Sequence, residues 1–375
     1  MLNLKNTMLE LSKRTGTVVI STKVAILGVF VTLGMAGNSA LANVECSLDG
    51  EPLSGEVRFF SSGGTYGESL EKAFFIPFEE ECGVKVIPVS SKRTFQQLLE
   101  MRDAGHYQYD VGSSNGREFP LGIEEGLYAK LPDNFWDELD GVMIEAGTSD
   151  YGAWNTTYSQ VVAYSTERVA EGFGDNGWAD LWDVEKFPGK RALYDSPYSL
   201  VFALIADGVA PEDIYPLDYD RAFAKLDEIK PHVLFWWKKG DQPVQGILNG
   251  EVVAASAWNG RVSSRVFAGE PIANSWKNHF FMNGWNVVMA GSPNERNAIA
   301  LLHYMQNAKG QAKQAELTQY LGANKAAFDL LKPEIAGALA SAHLSVDMAH
   351  VVYSPEWWTP NGKEAQKRWN EWRAE

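Results

Sequence analysis

Short runs of β-branched and aromatic residues alternate with helical-period stretches from Val57 onward, and this alternation constrains the fold more than any other feature. Val57-Arg58-Phe59-Phe60 reads as a strand, Ser61-Ser62-Gly63-Gly64 as a loop, and Tyr66 to Glu81 as a helix. Val84 to Ile87 is the next strand, Thr94 to Arg102 the next helix, and Tyr109-Asp110-Val111 a third short strand. A βαβαβ order of this kind predicts a mostly parallel sheet covered by helices on both faces. The pattern continues beyond it. Gln160 to Tyr164, Arg191 to Tyr194, Val252 to Ala257 and Phe280 to Met289 read as extended. Trp178 to Val184, Leu200 to Asp207, Tyr219 to Ile229 and Glu295 to Asn307 read as helical, and the C-terminal third is expected to be helical.

The N-terminus has the layout of an export signal. Lys5, Lys13, Arg14 and Lys23 form a basic stretch, Val24 to Gly37 an uncharged apolar run, and Ala40-Leu41-Ala42 a small-residue cleavage site. Cleavage is expected after Ala42, with a retained anchor as the alternative. Losing residues 1–42 removes four positive charges and one negative, so a net charge of −15 becomes −18. That balance argues against nucleic acid and anionic lipid as partners. The remaining chain of about 330 residues is longer than one core usually supports, so two lobes are expected. With no low-complexity linker, strand-like crossings must join them. The expected fold class is thus α/β with two lobes, each a mostly parallel sheet flanked by helices. Residues 1–42 are assigned to the signal, 43–155 with about 286–325 to lobe 1, and 156–285 with about 326–375 to lobe 2.

Two cysteines remain after cleavage. Cys46 precedes the first strand and Cys82 ends the helix that follows it, so in an oxidising compartment a bridge is feasible; two unpaired thiols are the alternative. No GxSxG, HExxH, Walker or GxGxxG pattern occurs, and the six histidines are scattered without metal-ligand spacing. No enzyme, cofactor or metal is therefore expected. The positive signal is aromatic. Among thirteen tryptophans, Trp154, Trp258 and Trp285 each precede an asparagine, a pairing suited to sandwiching a small ligand and fixing it by hydrogen bonds. Doubly wound sheets place ligands beyond the carboxyl ends of their strands, here the loops 61–66, 112–117, 195–198 and 258–261.

Several segments together carry a family resemblance: Phe59 to Tyr66, Tyr109-Asp110-Val111, Trp154-Asn155-Thr156-Thr157, Trp182-Asp183 with Phe187-Pro188-Gly189-Lys190, and Asn249 to Val252 followed by Trp258-Asn259-Gly260-Arg261. From about residue 55 to 372 the chain resembles the periplasmic spermidine/putrescine-binding proteins of ABC importers. The resemblance implies a periplasmic binding protein fold with a ligand cleft at the hinge, closure of two lobes on a small organic amine, and delivery to a membrane permease. A monomer is expected, and the charge balance leaves no nucleic acid partner. It points to Thr65, Tyr66, Ser114, Asn115 and Trp258 as ligand contacts, and residue reasoning adds Asn259, Trp285, Arg117 and Asp195.

The polyamine binders' carboxylates do not follow. Pro197, Leu200 and Gly284 stand near their places, with Asp195 and Glu68 the nearest substitutes. Burying a cation without a counter-charge is costly, whereas the forks of Arg117 and Arg261 suit a carboxylate. The alternative ligand is therefore a zwitterionic or carboxylated molecule held by arginine and aromatic residues. A periplasmic enzyme or a ligand-reporting sensor on the same fold is the alternative of another class.

Overall fold

The computed structural model describes residues 46–61, 63–90, 94–343 and 350–375. The expected export signal and its cleavage after Ala42 lie outside them. The first expected strands form as β1 (Glu56–Ser61) and β2 (Lys85–Ser90), which pair in parallel across the helical stretch Gly64–Cys82. The third strand, β3 (Val111–Asn115), begins where the reading expected it to end. Tyr109 turns its ring onto Phe60 at 4.9 Å, and the buried Asp110 carboxylate accepts from the Arg58 backbone N–H, Ser292 and Asn294. The ladder to β1 is thereby taken up from Val111, and much of the expected 112–117 loop is strand.

β4 (Thr148–Ser149) is a short edge piece on β5 (Gly152–Ser165). Then come β6 (Arg191–Tyr194), β7 (Val233–Trp237), β8 (Ala254–Trp258), β9 (Ile272–Val288) and β10 (Val351–Val352). The sequence reading missed β7 and the helices Asp241–Leu248 and Asn259–Phe267. It also missed that the C-terminal third contains β10, paired in parallel with β9.

Among the described residues the strands form one sheet in the order β2-β1-β3-β9-β5-β8-β6-β7. Each end is parallel, as expected. The centre is not: β5 and β9 run antiparallel to each other and to their outer neighbours β8 and β3. β9 alone is 17 residues long, roughly 55 Å at strand rise, so it passes from one end of the sheet to the other. The β5–β9 register slips between Trp154 and Thr156 and again between Gln160 and Val162. Such irregularities bend a ribbon locally, and they fall where β5 leaves the β3 end for the β8 end.

Separate cores sit at the two ends. Phe59, Phe74, Phe78, Val111 and Leu301 pack at one. At the other, Trp178, Phe202, Leu226 and Trp369 form one cluster, and Trp237, Val244, Ile247 and Val262 another. The helix Tyr219–Ile229 shows why these segments are helical. Asp218 caps its N-terminus by accepting from the Arg221 N–H, and Ala222, Leu226 and Ile229 form its buried stripe.

Cys46 and Cys82 are joined in a disulfide with Cα atoms 5.4 Å apart. Closing a loop of 36 residues contributes about 4 kcal/mol in the chain-entropy account. No helix among the described residues is long and apolar enough to cross a membrane.

Candidate ligand-binding site

Trp258 ends β8 and opens the helix Asn259–Phe267. Its indole lies edge-on to Trp237 at 5.5 Å and to Tyr194 at 6.1 Å. A Cβ on Gly240 would stand 2.5 Å from the Trp258 ring, so only glycine lets the loop approach it this closely. Tyr194 stacks on Trp237 at 4.2 Å and leads to Tyr198 at 6.5 Å. Tyr198 in turn meets Tyr353 edge-on at 5.9 Å and lies 5.8 Å from Phe280. From β5, Tyr158 faces Tyr320 at 6.4 Å, and from the other end of the sheet the Tyr66 hydroxyl pairs with that of Thr156 at 3.0 Å.

These rings share one electrostatic environment. Burial pushes the Tyr158 hydroxyl well above the usual phenol value, and Tyr198, Tyr194, Tyr320 and Tyr66 add to the effect. Burial raises Tyr198 and Tyr353 as well, against a smaller opposing pull from the Arg117 guanidinium. Tyr320 is pushed up to about 12, again by burial, with Arg261 opposing. All of these hydroxyls remain protonated at neutral pH. They supply donors and acceptors without charge.

Charge comes from the arginines. Arg117 precedes the helix Glu118–Glu124 and lies across Gly362 of the C-terminal helix Pro355–Ala374, 3.0 Å from where a Cβ there would stand. Its Nε is buried without a hydrogen-bond partner among the described residues. Arg191 shows the contrast: it is fully buried, yet its guanidinium donates to the carbonyls of Leu181, Phe187 and Gly189. Arg261 pairs with Asp241 at 3.6 Å. The carboxylates acting on the cluster are Asp195, beside Tyr194, and Asp241, beside Tyr320. Cations already hold both. Asp195 bonds Arg373 (3.3 Å), Lys238 (3.2 Å) and the Trp369 indole N–H (3.1 Å), which fastens the C-terminal helix.

The structure therefore brings together only part of the expected set. Tyr66, Arg117 and Trp258 belong to the cluster. The carboxylate of Asp195 is taken up by the C-terminal helix, and Glu68 is exposed. Ser114 is buried against the Tyr128 hydroxyl at 3.1 Å, and Asn115 caps a turn by accepting from the N–H groups of Arg117 and Glu118. Thr65 lies in the helix Gly64–Leu70, its side chain outside the described set.

The Trp-Asn pairs behave differently from one another. Trp285 stacks face to face on Phe119 at 4.0 Å, and the Asn283 carboxamide oxygen accepts from the Trp154 (2.6 Å) and Trp285 (2.9 Å) indoles. Asn155 donates to the Asn286 oxygen at 2.8 Å. Asn259 accepts from the Ser159 N–H at 2.9 Å and donates to the carbonyls of Gln319 and Ala338. These asparagines knit the crossing strands. Sequence reasoning missed Tyr158, Tyr194, Tyr198, Tyr320 and Tyr353; the tyrosines close to strand ends at 158, 194 and 198 were the available signal.

A two-ended α/β sheet with an aromatic and arginine cluster at its crossing strands defines a capture protein for a small solute. A profile of the bacterial extracellular solute-binding proteins matches residues 73–341. The chain belongs to this family, and its fold is the two-lobed one of periplasmic binding proteins. It is 33% identical to a gamma-aminobutyric acid-binding protein of Pseudomonas aeruginosa, over 84% of this chain and 90% of that one. It is 29% identical to the spermidine/putrescine-binding periplasmic protein of Escherichia coli, over 69% and 76%. An ABC transporter substrate-binding protein from Bradyrhizobium japonicum superposes with a TM-score of 0.78 at 34% identity, covering 85% of this chain and 99% of the other.

Proposed function

We propose that this solute-binding protein is the periplasmic capture subunit of an ABC importer and that its ligand is a small ω-amino acid. The ligand carboxylate would meet Arg117, and its ammonium would lie among the aromatic faces around Trp258, where cation–π attraction contributes about 0.5–2 kcal/mol per ring. The observation that carries this reading is the unpartnered Nε of Arg117 in a tyrosine cluster whose two nearby carboxylates are both taken by cations. A diamine would find both of these carboxylates already paired with cations; a zwitterion brings its own counter-charge. The gamma-aminobutyric acid-binding relative supports the same class of ligand.

In this reading the protein acts as a monomer without catalysis or nucleic acid binding, and delivers its cargo to a membrane permease. The lobes are 43–155 with about 286–325 and 156–285 with about 326–375. Ligand favours the closed form because only that form contacts it from both sides. Thermal-shift titration with 4-aminobutanoate, putrescine, spermidine and butanoate tests the proposal. At a hundredfold excess over its dissociation constant the true ligand stabilises by about 2.7 kcal/mol. The expected result is a shift with 4-aminobutanoate that Arg117→Met abolishes. A shift with putrescine but none with the amino acid would overturn the ligand assignment.

A further inference from the structure

Gln160 lies in β5 with no exposed surface, and neither its Nε2 nor its Oε1 has a hydrogen-bond partner among the described residues. Buried carboxamides are rarely left this way, since the group carries two donors and a two-lone-pair acceptor. Its position explains what could complete it. Gln160 is opposite Trp258 on β8 and opposite Phe280 on β9. Directly paired residues share a face of the sheet, so Gln160 is flanked in the ladder by Trp258 on one side and Phe280 on the other. Tyr158, two residues earlier, points to the same side. Tyr194 packs against Trp258, and Tyr198 and Tyr353 against Phe280. The orphaned amide thus lies in the part of the sheet whose neighbouring strand positions carry these aromatic residues.

We propose that Gln160 is a specificity-determining ligand contact whose Oε1 accepts a hydrogen bond from the ligand's ammonium group. This rests on the ligand class inferred above and adds the residue that reads its amine. A carboxamide oxygen accepts from an ammonium without adding a negative charge. That suits a zwitterion, whose own carboxylate supplies the counter-charge, and it disfavours a diamine, which would need carboxylates from the protein.

The test compares calorimetric titrations of the wild type, Gln160→Met and Gln160→Glu with 4-aminobutanoate and putrescine, alongside melting of the unliganded proteins. Gln160→Met keeps the length and removes the hydrogen bond, so 4-aminobutanoate affinity should fall roughly tenfold to a hundredfold. The unliganded melting temperature should not fall, because the deleted atoms have no hydrogen-bond partner among the described residues. Gln160→Glu keeps the shape and adds a carboxylate, and should move the affinity ratio toward putrescine by about tenfold. Unchanged affinity in Gln160→Met, or a lower unliganded melting temperature, would overturn the proposal, as would an unchanged ratio in Gln160→Glu. Should the wild type bind only putrescine, the ω-amino acid reading falls alone. Gln160 is then judged by whether Gln160→Met loses that diamine. Binding of neither compound overturns both.

Discussion

Trp258 carries the most specific consequence among single residues. Its indole is held by Trp237 and Tyr194 on one side and by the bare backbone of Gly240 on another. Trp258→Ala removes an aromatic wall and should weaken ligand binding by about tenfold or more, the range expected of a buried aromatic anchor. Gly240→Ala leaves the indole in the chain but forces its ring to move, so it should reproduce part of that loss while the fold melts within a few degrees of wild type. Equal affinity in both variants, measured by calorimetry, would place the ligand elsewhere. The tryptophans at 154 and 285 give the contrary case. Their indole N–H groups are spent on Asn283 and their faces on neighbouring rings, so identical residue types serve packing there.

Among elements, the C-terminal helix Pro355–Ala374 is notable for what it uses. It docks through Trp358, Trp369 and Trp372, and its polar anchors include two carboxylates, Asp195 for Trp369 and Arg373 and Asp227 for Trp372, besides the Tyr215 hydroxyl that accepts from Trp358. Asp195→Asn removes the charge that two cations share. It should cost about 1–3 kcal/mol of stability, the typical cost of leaving a partly buried partner unmatched. Ligand affinity should stay unchanged. Thermal melting and titration together separate this from the other reading of Asp195, in which affinity drops and the melting temperature does not. The same helix places Gly362 against Arg117, so its docking also positions the cation proposed to receive the ligand.

For the molecule as a whole, the buried tyrosines set an alkaline limit. Tyr158, Tyr198, Tyr215, Tyr304 and Tyr353 are all raised above 10.0 mainly by burial, and Tyr320 to about 12. In the unfolded chain these hydroxyls lose their protons near the ordinary value, while the folded chain keeps them. Stability is therefore complete below about pH 10 and falls as pH rises from there through the folded values. An alkaline titration followed by phenolate absorbance and circular dichroism should show the phenolates of these residues emerging together with loss of tertiary structure. Phenolate formation by these six in a still-folded protein would contradict the burial argument.

Much of the architecture was legible in the chain because it depends on local pattern. Strand and helix periodicities at 57–102 and 191–229 need no distant partner to be read, and two thiols flanking one strand–helix unit made the Cys46–Cys82 bridge feasible without deciding it. The central β5–β9 ribbon was read only in fragments. It is antiparallel within an otherwise parallel pattern, and its length comes from pairing between segments more than a hundred residues apart. Of the residues gathered in the aromatic cluster, Tyr66, Arg117 and Trp258 were read from the sequence and Tyr158, Tyr194, Tyr198, Tyr320 and Tyr353 were not. Whether Asp195 faces a ligand or a helix, and whether Trp285 lines a cleft or a core, depends on which side chains arrive from residues 119, 369 and 373. Residue type sets what a group can do; the packing of distant elements sets which groups are left with something still to bind.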